Sequence, residues 1–247
     1  MRVWLDTDLG SDVDDALALA YLLRHPAFEL VGVSTVFGDV ALRTRMATAL
    51  LEVAAAPTLP VLTGLGKPIT ARRKGVMFGH EGRGLFEDAR PRLRIEAEDE
   101  GGPDRLAAIA DAMASARPDV IVAIGPLTNL GALAQAGHPL PRLAIMGGKV
   151  QDVMLPGMTP AISEWNWWCD PVAVQQVLAA PAAVPPRVVP AEVTFRTPLT
   201  APQVDVLRDG DALCRTLHTL CEEWLRAQRE LLGSKEPHVM LHDPLTA

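Results

Sequence analysis

Short apolar segments alternate along the chain with longer segments of helical periodicity, and this alternation restricts the fold more than any other feature. Residues 3–5, 28–36 and 120–124 are apolar or rich in β-branched side chains, which predicts buried strands. Strands that are apolar on both sides need cover on both sides, and this is typical of parallel sheets. We therefore expect one α/β domain over residues 1–247, with an open, mostly parallel, Rossmann-like sheet and helices on both of its faces.

The same pattern gives bounds for the remaining elements. Further strands are predicted at residues 60–62, 143–146 and 187–189. Helices are predicted at residues 14–24, 40–56, 104–116, 129–136, 171–179 and 211–231. The least regular stretch, residues 64–102, is rich in Gly and Arg, and we expect a loop over the functional site there.

The composition argues against several classes of partner. The chain carries 23 basic and 30 acidic side chains, a net charge of −7, so we expect neither nucleic acid nor an anionic membrane as a partner. The three cysteines form no Cys-x-x-Cys pair, and an odd number suits a reducing compartment. Residues 1–8 lack the arrangement of a signal peptide, and the longest uncharged stretch, residues 120–141, is interrupted by Gly and Pro. These features predict a cytoplasmic protein that does not span a membrane.

Five carboxylates follow the first predicted strand within ten residues, and the nearest basic side chains are Arg2 and Arg24. They are Asp6, Asp8, Asp12, Asp14 and Asp15. Like charges about 5 Å apart repel by roughly 1–3 kcal/mol per pair, so a fold that gathers them usually supplies a cation. Oxygen ligands without a nearby His or Cys favour calcium or magnesium over zinc. The alternative is that these acids cap the following helix, favour its dipole or face water.

Known motifs with similar residues do not match this segment. An EF-hand loop that begins at Asp6 would need an acid at its fifth position, where Gly10 stands. Neither the P-loop pattern nor the dinucleotide-binding pattern of three glycines occurs in the chain. A cation bound by this segment would therefore occupy another kind of site. The expected place is at the carboxyl ends of the strands, where open parallel sheets bind ligands.

The acidic segment is similar to a known signature. Asp6-Thr7-Asp8-x-Gly10, followed by Asp14-Asp15-Ala16-x-Ala18, resembles the amino-terminal signature of the inosine–uridine-type nucleoside hydrolases. Four further segments resemble that family in the same order: Ile124-Gly125-Pro126-Leu127-Thr128-Asn129, Met146-Gly147-Gly148, Glu164-Trp165-Asn166 with Asp170-Pro171, and His242-Asp243-Pro244. The resemblance extends over essentially the whole chain.

The resemblance implies an enzyme that hydrolyses the N-glycosidic bond of ribonucleosides to ribose and a free base, with bound calcium. It implies that the metal ligands are Asp8, Asp15, the backbone carbonyl of Ile124 and Asp243. Asp8 would also be the general base on a calcium-bound water that attacks C1′, since a carboxylate beside the metal can take the proton of that water. The ring of carboxylates would also stabilise the oxocarbenium-like transition state. Members of the family are commonly dimers or tetramers, so we expect a homodimer or homotetramer.

The substrate contacts also follow from the resemblance. The implied substrate-binding residues are Asp14, Asp39, His80, Met146, Glu164 and Asn166. His242 is a candidate for the acid that protonates the leaving base, since histidine changes its charge near neutral pH; the alternative is that it only orients Asp243 or packs at a helix end. His80 lies on the base-side loop or is solvated, and of Trp165, Trp167 and Trp168 we expect one to flank the pocket and the others to lie in the core.

The chain departs from the family pattern at several positions. Two extra residues separate Gly10 from Asp14, so either Asp12 or Asp14 occupies the ribose-binding position. Asp39 stands where the family usually has Asn, and Met158 lies near a position where many members have an Asn that contacts ribose. These changes affect the expected substrate and rate more than the expected fold. The choice between purine and pyrimidine nucleosides stays open because loops contact the base.

Two other functions compete with hydrolysis of nucleosides. The first is a nucleoside- or ribose-binding protein without turnover. The second is a phosphatase of the haloacid-dehalogenase type with Asp6 as nucleophile, although the acidic partners that such an enzyme needs on later strands are not evident.

The carboxyl-terminal part of the family fold is expected to be missing. Members usually continue for several tens of residues beyond the His-Asp-Pro motif, whereas three residues follow Pro244. We therefore expect a shortened version of a longer reading frame, with Asp243 on a segment that frays and binds calcium less tightly.

Overall fold

The central sheet runs through the middle of the molecule, and the computed structural model describes residues 1–96, 102–151 and 163–247. In chain order the strands are β1 (Arg2–Thr7), β2 (Glu29–Thr35), β3 (Val61–Thr63), β4 (Gly75–Val76), β5 (Arg94–Ile95), β6 (Val120–Ala123), β7 (Arg142–Met146), β8 (Arg187–Val189), β9 (Pro198–Leu199) and β10 (Val239–Met240). Six of them form the sheet in the order β3-β2-β1-β6-β7-β8, with every neighbouring pair parallel. The predicted α/β fold with a parallel sheet is confirmed.

Helices cover both faces of this sheet. They are α1 (Asp14–Arg24), α2 (Val40–Val53), α3 (Gly102–Ala116), α4 (Thr128–Gln135), α5 (Trp165–Cys169), α6 (Pro171–Ala179), α7 (Ala191–Thr194), α8 (Ala201–Val206) and α9 (Ala212–Glu230). In β1, Val3 and Leu5 join one buried apolar cluster with side chains of α1, α2 and α9. Trp4, between them, joins a second cluster with α3, α4 and α6, as the two-residue period of a strand requires.

The larger predicted elements lie within a few residues of their observed bounds, and α1 and α6 coincide with the predictions. The structure adds short elements that the pattern did not indicate. Two-residue strands β4 and β5 pair inside the segment predicted as a loop, and β9 pairs with β10 beyond the last predicted strand. Such short pairs are formed by tertiary contacts rather than by local propensity. Among the described residues, no helix is long and apolar enough to cross a membrane.

Candidate active site

The acidic segment lies at the carboxyl edge of the sheet, where β1 ends and α1 begins. Strand β1 ends at Thr7 and helix α1 begins at Asp14, so the carboxylates are divided between the strand, the turn and the first helical turn. Gly10 makes the turn with φ of 114°, and a Cβ atom there would lie 2.8 Å from the Met46 sulfur. The sharp turn returns the chain to the edge of the sheet and brings the acids together.

Two overlapping groups of side chains in this region have the spacing of metal ligands. Carboxylate oxygens of Asp14, Asp15 and Asp243 all lie within 4.8 Å of one another, and all three residues are buried. Asp12, Asp14 and His242 form a second group with the same spacing. Two segments that are far apart in the sequence, one near residue 15 and one near residue 243, therefore meet at this site.

Burial and mutual repulsion raise the pKa of these carboxyls. The pKa of Asp14, Asp15 and Asp243 lies well above the usual range, because each is buried and faces other carboxylates. Burial also raises the pKa of Asp8, although the neighbouring Arg43 lowers it. A buried set of oxygen ligands that repel one another fits a divalent cation such as calcium or magnesium.

The free energy of unfolding without a divalent cation is expected to fall as the pH rises. Burial raises the pKa of Asp6, Asp12 and Glu164 to about 7, so between about pH 4 and pH 7 the folded chain binds more protons than the unfolded chain. In this window each group lowers the free energy of unfolding by up to about 1.4 kcal/mol for each pH unit of increase. His242, whose pKa burial lowers to about 4, opposes this trend as a single group.

Urea unfolding between pH 4.5 and 8, with chelator and with excess calcium, measures this effect. A calcium ion held by ionised carboxylates would stabilise the protein more at pH 8 than at pH 5. A stabilisation by calcium that is equal at both pH values would contradict the prediction.

Asp6 lies beneath the cluster rather than in it. Its side chain is fully buried and accepts hydrogen bonds from the Ser34 hydroxyl and from Asn129 Nδ2, the latter at 2.8 Å. The Thr7 hydroxyl donates a hydrogen bond to the Asp15 carboxylate and so fixes the orientation of that carboxylate. A nucleophile must reach its substrate, and the placement of Asp6 gives no support to the phosphatase alternative.

A second segment, at the ends of β6 and β7, faces the acids. Glu164 caps α5 and accepts from the backbone N–H groups of Asn166 at 2.7 Å, Trp167 at 2.9 Å and Gly148 at 2.8 Å. Asn166 Nδ2 donates to the carbonyl oxygen of Ile124 at 2.8 Å. Asn166 therefore contacts the carbonyl that the family resemblance implies as a metal ligand.

These two segments enclose one cavity of about 300 Å³. The predicted site residues that line it are Asp8, Asp14, Asp15, Ile124, Met146, Glu164, Asn166, His242 and Asp243. The remaining wall includes Ser11, Asp12, Ser163, Ala191 and four aromatic residues, which are Phe78, Trp165, Phe195 and Trp224. The cavity has an acidic floor and an aromatic rim, and its volume suits a small polar molecule that carries a flat ring.

Two of the predicted site residues lie outside this cavity lining. The Asp39 carboxylate caps α2 through Leu42 N at 3.3 Å and accepts from Arg92 N at 3.0 Å and Arg92 Nη2 at 3.1 Å. Burial alone would raise the pKa of Asp39, but these hydrogen bonds outweigh it and the pKa lies below the usual range. His80 is buried between Phe78 and Trp224, with ring centroids 6.2 Å and 5.5 Å away.

His242 lines the cavity with a neutral ring. Its Nδ1 shares a hydrogen bond of 2.7 Å with the Thr194 hydroxyl, and its ring packs edge-on against Phe195. Burial lowers the pKa of His242 to about 4, so at neutral pH the ring keeps one N–H and lacks the second proton of the imidazolium form that would act as a general acid. The role of His242 as the acid stays a prediction, and it would require protonation in the presence of substrate, beside Asp12 and Asp14.

The three clustered tryptophans separate into different environments. Trp165 lines the cavity, and Trp167 packs against Gly147 and Gly148, where a Cβ atom would clash with its indole. Trp168 is 45% exposed and stacks on Trp165, so the expectation that it lies in the core is wrong. Met158 lies outside the described residues.

Sequence reasoning missed several contributors to the site, among them three aromatic residues of the rim and a buried arginine. Phe78, Phe195 and Trp224 form the rim, and Arg43 lies fully buried beneath the acidic turn. None of them belongs to a recognisable local motif. The only available signal was a basic residue in a helix whose other inward-facing residues are apolar, as Arg43 is among Leu42, Met46 and Leu50.

Comparison with known proteins defines the class of this site. The chain is 30% identical over 258 residues to a protein of Arabidopsis thaliana named probable uridine nucleosidase 2, which covers 99% of this chain and 76% of the plant protein. It is 30% identical over 255 residues to the non-specific ribonucleoside hydrolase RihC of Escherichia coli, covering 98% of this chain and 76% of that one. The solved structure of a purine-preferring ribonucleoside hydrolase from Gardnerella vaginalis superposes with a TM-score of 0.75 at 25% identity, over 100% of this chain and 78% of the other.

The fold and these relatives define a hydrolase that acts on N-glycosyl compounds. Residues 3–247 match the family described as inosine-uridine preferring nucleoside hydrolase. The chain belongs to that family.

Proposed function

We propose that this protein is a calcium-dependent nucleoside hydrolase that converts ribonucleosides to ribose and free base. Family membership supports cleavage of the N-glycosidic bond. The observation that carries the finer proposal is the cavity itself, in which acids from both ends of the chain meet Glu164 and Asn166. The phosphatase alternative has no such observation in its favour.

The cation would be held by Asp8, Asp15, Asp243 and the carbonyl oxygen of Ile124. Asp15 and Asp243 already lie within ligand spacing, while Asp8 and Ile124 line the same cavity. When bound, calcium supplies Lewis-acid polarisation and orientation of the oxygen atoms beside Asp8.

Asp8 is proposed to take the proton from the attacking water. Breaking the glycosidic bond places positive charge on the ribose ring, and buried carboxylates near C1′ stabilise this charge as it develops. The cavity excludes most of the solvent around Asp8, which is 6% exposed, and this strengthens the electrostatic effect.

Ribose is proposed to lie between the acidic turn and the Glu164–Asn166 segment. Asp14 and Glu164 accept hydrogen bonds from ribose hydroxyls, and Asn166 contributes its amide oxygen while its Nδ2 remains on Ile124. Asp12 also lines the cavity and is the alternative to Asp14 in this role. The flat base then packs on the aromatic rim, near Phe78 and Trp165.

Incubation with purine and pyrimidine nucleosides and with a phosphomonoester tests the proposal. We expect reducing sugar and free base from at least one nucleoside, no phosphate from the ester, and loss of activity with a chelator that calcium restores. Binding of nucleosides without release of ribose would instead favour a binding protein. Light scattering tests the accompanying proposal of a homodimer or homotetramer.

Replacement of Asn166 with alanine is expected to lower kcat at least about tenfold, together with a rise in KM. The substitution removes a hydroxyl contact and frees the Ile124 carbonyl, and contacts that tighten in the transition state affect turnover as well as affinity. Steady-state kinetics on the best nucleoside measure the effect. The matched control is N129A, because Asn129 is equally buried but bonds Asp6 and lies outside the cavity lining.

The control variant should lose thermal stability and keep a KM close to that of the wild-type protein. Unchanged kcat and KM for N166A on every nucleoside would show that the Glu164–Asn166 segment does not contact ribose.

A further inference from the structure

A fully buried guanidinium donates hydrogen bonds to the acidic turn, the segment between β1 and α1. Arg43, on α2, is 0% exposed and donates to the carbonyl oxygens of Asp8, Leu9 and Phe37, at 2.9 Å for Leu9 and 2.6 Å for Phe37. Its Nη2 also donates to the Ser11 hydroxyl at 2.9 Å. The Asp8 carboxylate is nearby but not hydrogen-bonded, since its Oδ2 lies 3.9 Å from Nη2.

A fully buried carboxylate lies on the other side of Ser11. Glu81 is 0% exposed and accepts the Ser11 hydroxyl at 3.3 Å, so Ser11 receives a hydrogen bond from Arg43 and donates one to Glu81. Glu81 also accepts from the backbone N–H groups of Phe78 at 2.6 Å and Gly79 at 2.8 Å. One chain of hydrogen bonds thus joins α2, the acidic turn and the segment that carries Phe78.

Arg43 is therefore one buried cation with two buried carboxylates beside it, those of Asp8 and Glu81, and its charge also acts on the buried Asp15 carboxylate. A buried charge needs compensation, and the nearest compensation is either Asp8 directly or Glu81 through Ser11. If Asp8 supplied it in full, the ion pair between Asp8 Oδ2 and Arg43 Nη2, now 3.9 Å long, would close to a direct hydrogen bond. That pair would turn the Asp8 carboxylate away from the cavity, and the carboxylate would be less available to a cation or a proton.

We propose that Glu81 is a positioning residue, which compensates the charge of Arg43 through Ser11 and so leaves the Asp8 carboxylate free to face the cavity. The same carboxylate fixes the backbone at Phe78, so the acidic floor and the aromatic rim are positioned together. The inference deepens the proposed function, on which its catalytic consequence rests.

The first test is the crystal structure of E81Q in calcium-free buffer, compared with that of the wild-type protein. Glutamine keeps the shape of the side chain but removes its charge. We expect the distance from Asp8 Oδ2 to Arg43 Nη2 to shorten from 3.9 Å to a direct hydrogen bond. A distance that stays at its wild-type value would overturn the proposal, and this readout requires neither calcium binding nor turnover.

The second test measures calcium affinity by titration calorimetry and kinetics on a nucleoside, for E81Q, S11A and the double variant. We expect each single variant to bind calcium about tenfold more weakly and to lose kcat more than it raises KM. Because Glu81 acts through Ser11, the double variant should lose little more than the worse single variant. The proposal is contradicted if the loss in the double variant equals the product of the two single-variant losses. It is also contradicted if the calcium affinities of the single variants stay within threefold of wild type.

E192Q is the matched control. Glu192 is also buried and also accepts backbone N–H groups, from Val150 and Gln151, but it makes no contact with Arg43 or Ser11 in the described structure. This variant should lose thermal stability while its calcium affinity stays within about threefold of wild type. A failure of the wild-type protein to bind calcium or cleave nucleosides refutes the proposed function, whereas the E81Q structure alone decides the position of Asp8.

Discussion

Replacing Asp8 with asparagine is expected to lower kcat for nucleoside hydrolysis by at least about 10²-fold while the protein remains folded. Loss of a general base typically costs this much or more. The fold should survive because the hydrogen bond from Arg43 to Asp8 is accepted by the backbone carbonyl, which asparagine retains. Steady-state kinetics of D8N and wild-type protein measure the loss of kcat, and a thermal melt of each measures whether the fold is retained.

D12N is the control for D8N. Asp12 lines the same cavity, so its amide variant also removes one carboxyl group from the site. We expect D12N to retain at least one tenth of wild-type kcat. If D8N kept near-normal release of ribose while D12N lost it, the role of the base would pass to Asp12.

Replacing Asp243 with asparagine is expected to weaken calcium binding at least about 10²-fold and to abolish the stabilisation by calcium. Asp243 is buried within 4.8 Å of Asp14 and Asp15, and neutralising it removes a ligand as well as part of the charge that holds the cation. Titration calorimetry and melting temperatures with and without calcium measure the loss. In chelator, D243N should melt at or above the wild-type temperature, because one source of carboxylate repulsion is gone.

D88N provides the control for D243N. The Asp88 side chain is 85% exposed and lies 4.0 Å from its closest basic partner, so its amide variant changes the net charge equally without touching the cavity. Calcium affinity should stay within about twofold of wild type. Equal losses in D88N and D243N would show that net charge, not a defined site, attracts the ion.

The sequence was most informative where one short segment determined both structure and chemistry. The strand that ends at Thr7, the turn at Gly10 and the helix that begins at Asp14 follow from local patterns, and the acids fall where these elements place them. The positions of Glu164 and Asn166 in the cavity followed from the resemblance, because the segment keeps its motif.

The sequence was least informative where a side chain has a partner that is distant in sequence. Asp39 was expected to bind substrate, but Arg92, more than fifty residues away, holds its carboxylate. Trp224 reaches the rim from α9, a helix whose pattern resembles that of any amphipathic surface helix. Such contacts depend on how elements pack, which local periodicity does not encode.

The meeting of Asp15 with Asp243 has a consequence for the order of events during folding. The two residues are separated by nearly the whole chain, so the contact closes one of the longest loops in the molecule and forms after the local helices and neighbouring strands. Interactions that are absent from the transition state alter the rate of unfolding rather than the rate of folding. If calcium binds as proposed, it should extend the lifetime of the native state and leave the rate of folding almost unchanged, so its contribution would be to kinetic stability.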